Sequence, residues 1–157
     1  MARWTRRVVL AWLCVVAWIS MIWVSSSEEF SAQTTSRFLV PFLRWLDPEI
    51  GWQTIRDIHT AIRKTAHLAQ YAVLAGLAFR AFRVSLDLRL GHVGLLTLGT
   101  VLAVAGLDEL RQSWLPSRTG SLADVFIDFT GGAIGVLCVI GFHRWLGVRR
   151  PQAGPGA

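Results

Sequence analysis

LDELRQSWLPSRTGSLADVFIDFTGG, from Leu107 to Gly132, places four carboxylates, an amide and two arginines between two strongly apolar runs. A carboxylate near lipid costs roughly 3 kcal/mol on insertion scales, so these groups must face a protein interior, a partner charge or a wet cavity. The stretch therefore reads as a polar cluster held at a membrane face. If the first apolar run stays helical past Leu107, Asp108 and Gln112 share a face at i, i+4, and Arg111 lies about 100° from Gln112. Pro116 then stops the helix. Ser121 with Asp124 three residues on resembles the capping-box spacing, and a carboxylate at a helix N-terminus suits the dipole. Asp128, one turn deeper, has no such explanation. Asp124, Asp128, Gly131 or Gly132, and Gly135 fall along one stripe, and the Gly131/Gly135 pair permits close helix contact.

The rest of the chain extends this pattern. At 157 residues, 53% hydrophobic and with mean hydropathy +0.45, it is too apolar for an ordinary soluble domain, and its apolar residues come in long blocks. Spans are expected near Val8 to Val24, Ala66 to Phe82, His92 to Leu107 and Leu122 to Trp145. The third is short for the roughly 20 residues of a crossing helix, and continuation from Asp108 to Trp114 supplies the missing length. With the amino terminus inside, the cytoplasmic segments carry nine arginines against Asp87 alone, while the outer segments and nearby span ends hold seven bases and nine acids. The positive-inside rule then places both termini in the cytoplasm. The net charge of +6 forms no basic face interleaved with aromatics, so a nucleic-acid partner is not expected. Cys14 and Cys138 fall within spans and read as small core residues rather than a disulfide framework.

Met1 to Arg7 is a basic leader, and the run after it carries Trp12, Trp18 and Trp23, which fits an interface-anchored helix better than a signal peptide. Ser25 to Arg37 reads as a solvated loop whose hydroxyls cap a following helix. Phe38 to Leu46 is short and apolar, and is expected to lie on the membrane surface or re-enter slightly. From Trp52, Ile55, Ile58 and Ile62 recur at helical spacing with no breaker before Phe82. One helix of roughly 45 Å results, longer than the bilayer core, and its first turns project outside. Lys64, His67 and Tyr71 follow at i, i+3 and i+7 on one stripe, continued by Ala75 and Ala78, which should face another helix.

His59, then Arg63-Lys64-x-x-His67-x-x-Gln70-Tyr71, and later Asp108-Glu109-x-x-Gln112, Pro116, Arg118, Ser121, Asp124, Asp128 and Gly132-x-x-Gly135, form two motifs in a fixed order; Ser25 to Ser27 and Ser36 match more loosely. This combination resembles the VanZ-like family, small multi-span membrane proteins named for an accessory protein of teicoplanin resistance. The resemblance runs from about Val8 to Trp145. Gln70 stands where the family often has an acid, and Asp128 where asparagine is common. What the resemblance implies is a role in the bacterial cell envelope touching glycopeptide susceptibility, with no settled biochemical activity.

The expected fold is all-α: a polytopic membrane bundle of four transmembrane helices, with an amphipathic outer extension before the second. Residues 1–7 are a cytoplasmic leader, 8–147 the VanZ-like membrane domain and 148–157 a cytoplasmic disordered tail. Three readings of the cluster stand side by side. Paired charges simply lock the bundle. Alternatively, a binding protein holds a lipid-linked or phosphate-bearing envelope molecule through Arg63, Lys64, Tyr71, Gln112, Arg118, Ser121, Asp124 and Asp128, since arginine offers a planar donor fork and lysine a point charge. Or an intramembrane hydrolase or transferase uses His67 as acid or base, with Asp108 or Glu109 as its partner; no nucleophile motif, phosphate loop or HExxH supports that reading. The bilayer is the expected partner; no cofactor is expected, and ligand spacing is not diagnostic of a metal.

Overall fold

The computed structural model describes residues 2–26, 32–114 and 122–148. They form five helices and no strand: α1 (Ala2–Ser25), α2 (Ala32–Leu46), α3 (Trp52–Ser85), α4 (Leu90–Ser113) and α5 (Leu122–Val148). α3 touches all four others and packs most extensively on α5. In its second half the buried residues Tyr71, Leu74, Ala75, Ala78, Phe79 and Ala81 span an arc of about 160° at 100° per residue; Ile55 is buried near its start. An arc that wide is what a helix enclosed by several neighbours requires, and the alanines let those neighbours approach.

Among the described residues three helices are long and apolar enough to cross a membrane: Thr5–Ser25, Leu90–Ser113 and Leu122–Leu146. α3, which contains the expected second span, is not one of them. Between Lys64 and Arg80 it has 15 uncharged residues, about 22 Å at 1.5 Å per residue, short of a hydrocarbon core of roughly 30 Å. A helix shielded by its neighbours has less need of a lipid-soluble surface.

The continuous helix expected from Trp52 to Phe82 is present and runs on to Ser85, and the expected continuation of the third span carries α4 through Ser113. Three expectations are corrected. The segment from Ala32 is helical, so Thr34, Thr35 and Ser36 lie in α2 rather than in a loop, and α2 continues through Pro41, whose ring leaves the carbonyl one turn earlier without its donor. Cys14 and Cys138 are exposed free thiols: the inward stripe of α1 is Ala11, Val15, Trp18 and Ile22, and Cys14 falls beside it. Trp12 and Trp18 face α3 rather than serving only as interface anchors. Trp12 Nε1 donates to Ser85 Oγ (3.0 Å), with its ring edge-on to Phe82, and Trp18 Nε1 donates to the Gln70 carbonyl (2.9 Å).

Gly131 and Gly135 bring α5 onto the backbone of α3. A Cβ at position 131 would collide with the Leu68 carbonyl, one at 135 with the Ala72 carbonyl, and one at 132 with the Val101 side chain of α4. Glycine is required at these positions for close approach. Because Leu68 follows His67 and Gly131 lies one turn past Asp128, the same approach sets the spacing of those two side chains.

Candidate functional site

Polar side chains gather where α1 ends, α4 ends, α5 begins and α3 reaches mid-length. At the α4 end, Asp108 is fully buried. Its Oδ2 accepts from Ser26 Oγ (2.7 Å) and Gln112 Nε2 (2.8 Å), and Arg111 Nη2 lies 3.6 Å from Oδ1. Arg111 also donates to the Trp23 carbonyl (2.8 Å), and Gln70 Nε2 donates to Ser25 Oγ (3.0 Å), so α1 is tied to both α4 and α3 at this level. Hydrogen bonds to a charged acceptor contribute about 1.5–3 kcal/mol each, which is how a buried carboxylate is tolerated here. Glu109 and Gln112 are buried alongside.

The second group lies between α3 and α5. His67 Nδ1 is 3.4 Å from Asp128 Oδ1, an ion pair when the imidazole is protonated, and Asp128 is 1% exposed. Arg63, Lys64 and His67 from α3, with Asp124, Ile127 and Asp128 from α5, line a cleft that leaves about 10 Å³ for the centre of a water-sized sphere, room for one water. Among the described residues neither Arg63 nor Lys64 forms an ion pair. No hydrogen bond of ordinary geometry reaches either oxygen of Asp128, and the groups that interact with its carboxylate are the His67 imidazole and the Tyr71 hydroxyl. Tyr71, fully buried one turn along from His67, sits between the groups, within electrostatic reach of Asp128, Asp108 and Glu109.

From the sequence, Arg63, Lys64 and His67 are expected to meet Asp108, Glu109, Asp124 and Asp128; the two acids of α5 do line one cleft with these bases, and His67 approaches Asp128 rather than Asp108 or Glu109. The contacts of Asp108 come instead from Ser26, just past α1, and from its own helix. Arg118 and Ser121, with Pro116, lie outside the described residues. Sequence reasoning did not single out Ser26 and Arg111 as partners of Asp108; the serines closing the first apolar run were the only signal for Ser26. Among the described residues no group of three or more His, Cys, Asp or Glu side chains could hold a metal ion.

No curated protein and no solved structure matches the chain. A family model described as VanZ/LLP1 matches residues 10–144, a stretch that includes α2, α3, α4, about two thirds of α1 and most of α5, and thus both polar groups. A membrane protein with three strongly apolar helices, it belongs to the VanZ/LLP1 family.

Proposed function

We propose that this is a bacterial envelope protein with four crossings, α3 being the fourth, whose outer end binds the phosphate-bearing headgroup of an envelope lipid. The observation that carries the reading is the cleft lined by Arg63 and Lys64, two cations with no carboxylate closing on them among the described residues. A phosphate at the rim meets a guanidinium fork and an ammonium. The arginines of the leader, of the segment after α3 and of the tail hold both termini in the cytoplasm, which puts the cleft at the exterior headgroups. Residues 8–147 form the membrane domain, and 148–157 a cytoplasmic tail. Sequestering a lipid-linked precursor there alters what teicoplanin meets at the surface.

The test is binding by purified protein in detergent, with radiolabelled isoprenoid phosphate and phospholipids compared with a phosphate-free diacylglycerol of matched chains. Phosphate-bearing lipids bind, and the Arg63→Ala/Lys64→Ala double variant weakens them at least tenfold. Equal binding of the phosphate-free lipid, or an unaffected double variant, overturns the reading.

A hydrolase or transferase is favoured by one contact, the 3.4 Å approach of His67 to Asp128, since an imidazole oriented by a carboxylate is the usual acid–base arrangement. Full cellular activity in His67→Ala at normal abundance removes it. Teicoplanin susceptibility of cells carrying His67→Ala or Lys64→Ala, compared at equal membrane abundance, links the site to the envelope.

A further inference from the structure

The cleft between α3 and α5 is bipolar in depth. Its outermost lining residue is Lys64, exposed, its deepest is Asp128, almost wholly buried, and Arg63 and Asp124 are half-buried between them. A ligand carrying only phosphate would meet two carboxylates behind the rim, and one carrying only a cation would have to pass the two bases. A zwitterion with its negative end outward satisfies both. Asp128 supplies the independent sign: both of its oxygens are shut away from solvent, no hydrogen bond of ordinary geometry reaches either, and only the Tyr71 hydroxyl and the His67 imidazole come near. An unmet buried carboxylate is costly unless a donor or counter-charge reaches it. His67 approaches one oxygen at 3.4 Å, too far for a normal hydrogen bond.

The cleft as a whole leaves about 10 Å³ for the centre of a water-sized sphere, so it admits one water-sized group. A primary ammonium is about that size and brings three donors. A phosphate or a trimethylammonium is too large for the cleft, so the phosphate stays outside it at Arg63 and Lys64. Resting on the reading of this cleft as a lipid-phosphate site, we infer that its ligand is an aminoalkyl phosphate headgroup, the primary ammonium entering between Asp124 and Asp128 and the phosphate held at the rim by Arg63 and Lys64.

The experiment uses the full chain in detergent, titrated with chain-matched phosphatidylethanolamine, phosphatidylcholine and phosphatidylglycerol, and separately with soluble phosphoethanolamine. Phosphatidylethanolamine is expected to bind at least tenfold more tightly than phosphatidylcholine, whose methylated amine is excluded, and more tightly than phosphatidylglycerol, which has no amine. Asp128→Asn is expected to bring the ethanolamine-to-glycerol ratio toward one. Asp124→Asn, at a half-buried position less demanding for folding, is expected to lower the same ratio. Soluble phosphoethanolamine competing at similar concentration identifies the headgroup alone as the determinant; failure to compete while the lipid preference persists shows that the acyl chains contribute as well, and both results support the assignment. Equal affinity for all three phospholipids overturns the ammonium assignment and leaves the phosphate site standing. Absence of binding to every phosphate-bearing lipid overturns both.

Discussion

Replacing Gly131 with alanine sets a methyl group against the backbone carbonyl of Leu68, at a separation real Cβ atoms do not show. A backbone carbonyl in mid-helix cannot rotate away, so α5 must withdraw from α3 by roughly 1 Å, and contacts along the seam lose a quarter to a half of their dispersion energy. Overpacking of this kind costs about 1–3 kcal/mol, and a rigid obstacle belongs at the upper end. Alanine returns about 1 kcal/mol of helix propensity, leaving a net loss of about 2 kcal/mol, or about 4–8 °C in Tm for a chain of this length. Gly141 supplies the control, because a Cβ there meets nothing within 4 Å, and Gly141→Ala is expected to be neutral or stabilising by up to about 1 kcal/mol. Gly131→Ala/Gly135→Ala should cost less than the sum of its parts, since one displacement relieves both collisions. The assay is thermal unfolding of the purified protein in mild detergent, followed by tryptophan fluorescence. A Gly131→Ala variant as stable as Gly141→Ala would refute the close seam, and with it the reason Asp128 stands beside His67.

Asp108→Ala removes the acceptor of Ser26 and Gln112 and the counter-charge of Arg111, and is expected to cost about 3–5 kcal/mol; Asp108→Asn keeps shape and one acceptor and should retain more membrane abundance, so equal loss in both contradicts the assignment. Trp18→Phe deletes the bond to the Gln70 carbonyl and should cost about 0.5–1.5 kcal/mol in the same unfolding assay, whereas no change in the midpoint would show that the bond contributes nothing. On α2, Phe38, Phe42, Trp45 and Leu46 are exposed along one side, the pattern of a helix lying in a lipid interface. A spin label at Phe38→Cys in nanodiscs is then relaxed by oxygen and shielded from an aqueous nickel reagent; free access to nickel would place α2 in water.

The seam between α3 and α5 was legible because a small-residue repeat states its own requirement: Gly131 and Gly135 have one face and one use. The extension of α4 was legible for a similar local reason, Asp108 and Gln112 sharing a face with nothing to stop the helix before Pro116. α2 was not, because serine, threonine and proline favour turns in isolation, while Leu39, Val40 and Leu43, half-buried here, reveal their inner side only once α3 is in place. Trp12 and Trp18 misled in the same way. An aromatic in an apolar run suits a headgroup or a neighbouring helix equally well, and Ser85 and Gln70, the partners that decide between them, lie far along the chain. The bond from Ser26 to Asp108, 82 residues apart, has no local signature at all.

That bond separates two readings that the sequence left joined. Scaffold and site had seemed rival descriptions of one cluster, yet its two deepest carboxylates are surrounded differently. Asp108 is closed in by a hydroxyl, an amide and a guanidinium from α1 and α4, at distances that satisfy one oxygen and charge-balance the other. A carboxylate so engaged has little to offer a ligand, and its removal is felt by the bundle. Asp128, equally buried, has an imidazole at 3.4 Å and a cleft beside it. The cost of burying Asp128 is offset only in part by the protein around it, which is the condition under which a bound cation or ammonium gains most from entering. The Asp108 contacts therefore tie α1 to α4, while the proposed ligand site lies in the α3–α5 cleft, and Tyr71 is within electrostatic reach of both groups.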